Sequence, residues 1–156
     1  MTTPKSAVEA FFAESANILH EALHTCFAML GEEAVKRIRD RSQEESWIDQ
    51  TGNLRSSIGY AIYDHGRKEL ESAFQIIRNG GEGSDTGKKY IDELASEYAT
   101  TYALVVIAGM NYASFVEAKE NKDVLASTEL WLNGVVDQKM QKAVDAAIIR
   151  INSIKL

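Results

Sequence analysis

The chain has 156 residues, 45% hydrophobic and 26% charged, with 17 Lys and Arg against 23 Asp and Glu. That length fits one domain, which can bury about 68–70% of its unfolded surface and needs neither a metal nor a disulfide to fold. A net charge of −6 disfavours phosphate-backbone binding, the single Cys26 excludes an intrachain disulfide, and no apolar window is long enough to span a membrane.

The first residues lack a basic stretch followed by an apolar core, so no secretory signal is expected. Thr3 can cap a helix and Pro4 fits its first turn. Val8, Phe12, Ser15, Leu19, Ala22, Cys26 and Leu30 then recur at three- and four-residue steps, with Val35 and Ile38 beyond Gly31. The spacing predicts a long amphipathic helix over 1–46, bent or broken at Gly31, with Cys26 as a buried thiol. Lys36, Arg37, Arg39 and Arg41 are interleaved with acids and read as a solvated helix face.

Thr51-Gly52-Asn53 breaks the helix and opens a turn-and-hairpin segment over 53–78. Ile58, Tyr60 and Ile62 alternate as in a half-buried strand, Asp64-His65-Gly66 reads as the hairpin turn, and Leu70, Phe74 and Ile76 mark the return. Residues 79–87, with four glycines and no large side chain, are expected to form a flexible loop. A second helix is predicted over 88–102, carrying Tyr90, Tyr98 and Tyr102. The short apolar run 103–108 predicts a central strand. A helical turn with Tyr112, Phe115 and Val116 follows, then a charged loop and an edge strand near 123–126. The last helix is expected over 127–153, with Ser127 or Thr128 at its start. The sum is α+β: long N- and C-terminal helices on a small, mainly antiparallel sheet of three to four strands, with an inserted helix.

Two motifs compete to say what the chain does. His20-Glu21-Ala22-Leu23-His24 fits the HExxH helix of zinc hydrolases, where residues four apart share a face and the glutamate serves as base. A catalytic zinc needs a third protein ligand. Phe27 and Leu30 stand where one version of the motif has glycine and histidine, and Glu44 and Glu45 belong to the same helix or its exit. His65 remains open as a ligand. His20, Glu21 and His24 are therefore read as a chance match. No catalytic residue, cofactor-binding residue or cofactor is assigned, and the phosphate-loop and nucleophile-elbow spacings are absent.

Thr51-Gly52-Asn53-Leu54-Arg55-Ser56-Ser57-Ile58 resembles the T-G-x-L-R-x-S-I segment of the tail-completion, or head–tail joining, proteins of long-tailed phages, the gene-product-ten-like family. Tyr112-Ala113-Ser114-Phe115-Val116-Glu117 resembles a second element of that family, a tyrosine-alanine–x-x–valine-glutamate run after a later strand. The order of long helix, signature, strands and closing helix also agrees, so the resemblance spans most of the chain. Ala118-Lys119 replaces the family's glycine after the glutamate, and 79–102 looks like an insertion. The resemblance carries Thr51, Gly52, Leu54, Arg55, Ser57, Ile58, Tyr112, Ala113, Val116 and Glu117 over as structural signature positions. It implies a non-enzymatic virion component from a phage or prophage, assembled in the host bacterial cytoplasm. Its implied partners are further copies in a homo-oligomeric ring and connector, tail-tube or tail-terminator subunits, with no membrane and no sequence-specific nucleic acid. The alternatives are a zinc-dependent hydrolase using the HEALH helix and a cytosolic helix-rich interaction module.

Overall fold

The computed structural model describes residues 3–42, 47–119 and 122–155. Helix α1 spans Lys5–Arg39 and helix α5 spans Ala126–Asn152. They lie antiparallel, as Arg37 stacking on Trp131 and Glu21 pairing with Arg150 require. Between them come a single turn α2 (Asn53–Ser56), strands β1 (Ile58–Asp64) and β2 (Arg67–Glu71), helix α3 (Gly81–Glu93), strand β3 (Tyr102–Ala108) and helix α4 (Ala113–Lys119). The sheet order is β2-β1-β3 and both pairings are antiparallel. The α+β architecture read from the sequence is the one found.

Strand β1 is the centre of the molecule, because its side chains alternate between two filled layers. Ile58, Tyr60 and Ile62 pack against Phe27, Val35 and Ile38 of α1. Ala61 and Tyr63 face the other way, toward Phe74, Ile91, Val105 and Ile107. The Tyr60 hydroxyl reaches Glu32 of α1 at 3.0 Å, and burial with this hydrogen bond pushes its pKa up to about 12. The expected half-buried strand is thus buried on both faces. Strand β3, expected at the centre, is an edge. Its apolar run reflects helical cover on both faces, and periodicity alone cannot separate that from a neighbouring strand on each side.

Several boundaries move for local reasons. Pro4 precedes the first turn of α1, and its carbonyl, with no side-chain cap, accepts from Ala7 and Val8. The helix ends at Arg39, short of 46; residues 43–46 lie outside the described residues. It runs unbroken through Gly31, where the Tyr60 ring occupies the space a Cβ would need. Arg39 and Arg41 do not form a solvated face. Arg39 donates to the Ile58 and Ala73 carbonyls at 2.5 and 2.9 Å, and Arg41 pairs with Asp123 at 2.9 Å.

The hairpin turn falls at His65 and Gly66, both with positive φ, as the sequence suggested. Strand β2 stops at Glu71, although Ser72 still bonds Tyr60 through backbone and side chain. Tyr102, expected on the inserted helix, opens β3. No strand forms at 123–126, which bends directly into α5.

The glycine-rich stretch is the largest correction. It is the first half of α3, not a loop, and Gly83, Ser84 and Gly87 are buried. A Cβ at Gly83 would overlap the Asn53 carbonyl. The glycines therefore let a helix backbone lie directly on the turn that follows α1. Close approach and flexibility leave the same composition in a sequence.

Candidate functional site

The 51–58 signature is built around a buried carboxylate that precedes it. Asp49 accepts from the Gly52 amide at 2.9 Å and from the Arg55 amide at 3.0 Å, satisfying donors at the start of α2. Gly52 has φ of +86°, and a Cβ there would overlap the Ile77 carbonyl. Leu54 is fully buried in the α1 layer. The Arg55 guanidinium lies 4.5 Å above the Trp47 ring and donates to the Arg39 carbonyl at 2.5 Å, which ties the signature to the end of α1. Burial draws its pKa down, and Asp49 opposes that shift. Ser57 donates to Leu54 and accepts from the Met110 amide at 3.3 Å.

The second signature element is also structural. Ala113 is buried against the core and Val116 packs beside it. One oxygen of Glu117 accepts from the Leu125 and Ala126 amides at 3.0 and 2.7 Å, capping the start of α5. Tyr112 is 37% exposed. Thr51 accepts from the Asn53 amide at 3.3 Å, and Ile58 is buried under α1. Ala113 and Glu117 line a shared depression beside the end of β3, and the signature side chains otherwise serve contacts between elements. They join α1, the sheet, α3 and α5.

The HEALH helix has the opposite character. His20, Glu21, His24 and Thr25 line an open depression with Arg67, Lys68 and Glu69 of β2. Among the described residues, His20, His24 and Glu69 bring three possible metal-ligand atoms within 4.8 Å of one another. His20 Nε2 and His24 Nδ1 lie 3.1 and 3.3 Å from the same Glu69 oxygen. The Tyr102 hydroxyl is 3.4 Å from His24 Nδ1. Glu21, which lines the same depression, also has its carboxylate 3.8 Å from Arg150.

Sequence reasoning sought the third ligand on helices and at His65; it missed Glu69. His65 instead pairs with Asp64 at 2.6 Å at the hairpin tip. The signal for Glu69 was faint. The hairpin turn places β2 beside β1, yet alternation does not assign Glu69 to the α1 side. A bulge does so. The pairs Ile62↔Leu70 and Tyr63↔Lys68 leave Glu69 as the extra residue on β2.

No known family model, curated protein or solved structure matches this chain.

Proposed function

We propose that this chain is a non-enzymatic assembly subunit of a long-tailed phage or prophage, acting at the head–tail junction or tail end as a ring of like copies. The observation that carries the oligomeric part is the incomplete cover of the two long helices. Helix α5 has 27 residues and buries two, Thr128 and Ala147. Leu130 and Ile149 remain 74% and 72% exposed, and Phe12 of α1 is 65% exposed. No residue of α1 before Ile18 is buried. Soluble monomers seldom leave so much apolar helix surface in water, whereas a ring subunit needs two such patches to meet its neighbours.

The phage part rests on the signature resemblance and on what the signature does. Residues 51–58 and 112–117 hold elements together, as expected of an architectural motif. Among the described residues no helix is long and apolar enough to cross a membrane.

Glu69 favours a second reading, a zinc-dependent hydrolase, by supplying the third ligand that HEALH lacks in sequence. Against it, Glu21 pairs with Arg150 and the depression is open to water, where a hydrolytic base and a sheltered site are needed. Electron microscopy of particles from a producing bacterium with and without the gene tests the proposal. Loss of the chain should yield separate heads and tails, rejoined on complementation. Normally joined particles without it would contradict the assembly role.

A further inference from the structure

We propose that His20, His24 and Glu69 bind one divalent transition-metal ion of the zinc class, clasping β2 to α1. The two histidines are four residues apart on α1 and so project from one face. Glu69 reaches them because the bulge in β2 sends it, like its neighbour Leu70, toward α1. Bonds of about 2.0–2.1 Å at tetrahedral angles put ligand atoms about 3.4 Å apart. The two contacts to Glu69, at 3.1 and 3.3 Å, already match that spacing, and all three atoms fall within 4.8 Å. A small inward movement of two partly exposed imidazoles, 44% and 33% accessible, completes the set.

The donor chemistry selects the ion. Two imidazole nitrogens and one carboxylate suit zinc, cobalt, nickel or copper, whereas calcium and magnesium favour all-oxygen shells. Arg67 holds the second Glu69 oxygen at 3.3 Å and so orients the carboxylate. The Tyr102 hydroxyl, 3.4 Å from His24 Nδ1, stands where it can hydrogen-bond a water in the fourth position. Glu21 lies 3.8 Å from Arg150, and we assign the metal the role of a cross-link. It would join the exposed end of the hairpin to the stretch of α1 between the buried Ile18 and Phe27. The site is independent of the assembly role and stands or falls separately.

The test uses the full, untagged chain, stripped with a chelator and titrated with zinc by calorimetry and with cobalt by visible absorption. One zinc per chain should bind saturably and raise the Tm, and cobalt should give the intense bands of a four-coordinate site. Glu69→Gln and His24→Ala should each weaken binding at least about tenfold and abolish the Tm rise, while His65→Ala leaves both unchanged. Circular dichroism of each metal-free variant checks that it is folded, and His20→Ala provides a third, more exposed variant. The proposal is overturned if the unmodified chain shows no saturable binding, or if folded Glu69→Gln binds as tightly as the unmodified chain.

Discussion

The 51–58 turn and the HEALH helix are both short motifs with polar residues at fixed spacing, yet the fold uses them in opposite ways. In the turn, the polar groups that organise it are spent inward, while Thr51 stays exposed. Asp49, Gly52, Arg55 and Ser57 satisfy backbone groups or fill space the core needs. In the helix, His20 and His24 stay partly exposed and meet Glu69 at the surface. A motif's chemistry is therefore decided by what surrounds it: burial turns polar residues into scaffold, and exposure leaves them able to take a ligand.

The buried turn is most sensitive at Gly52. Gly52→Ala meets both a left-handed backbone and the Ile77 carbonyl, so a loss on the order of 3 kcal/mol or more is expected in urea unfolding. Gly83→Ala should follow at about 2–3 kcal/mol, because the new methyl forces α3 off the turn at Asn53. A flexible loop at 79–87 would instead gain stability from the same change. Asp49→Ala strands two buried amides and should cost about 2 kcal/mol.

Tyr60 supplies a pH test of the same buried layer. Its folded pKa of about 12 exceeds the ordinary 10, so its contribution is complete below pH 10 and is lost as the pH rises toward 12. Unfolding followed from pH 9 to 12 should show this loss, and Tyr60→Phe should reduce it. The smallest effect belongs to the helix: metal-free His20→Ala should change stability by no more than about 0.5–1 kcal/mol, as expected of a partly exposed side chain. A large loss there would mean that HEALH is scaffold too.

The architecture was legible because long elements carry strong periodic signals: the two terminal helices, the 64–66 turn and β3 all stood near their expected places. What misled was any feature with two physical causes. Glycines at 80–87 signify loop freedom or close helix packing, and only their partners decide: Gly52 and Ser56 for Gly80, Asn53 for Gly83, Phe74 and Ser57 for Gly87. The apolar run of β3 signifies a central strand or an edge covered on both faces. Arg39 and Arg41 sit in a charged stretch, yet their targets are carbonyls and an acid distant in sequence. Glu69 depends on a bulge, a feature that strand alternation does not encode. The signature residues were legible as a turn, whereas Asp49, which organises it, lay just outside the motif.

Neighbours in a particle should cover the helix faces that one subunit leaves in water. Quantitative mass spectrometry of purified particles measures this directly. The chain should be an integral component at a fixed number of copies per particle, reduced when Leu130→Asp and Ile149→Asp are introduced together. Fewer than one copy per particle, in a preparation whose heads and tails are joined, would contradict it.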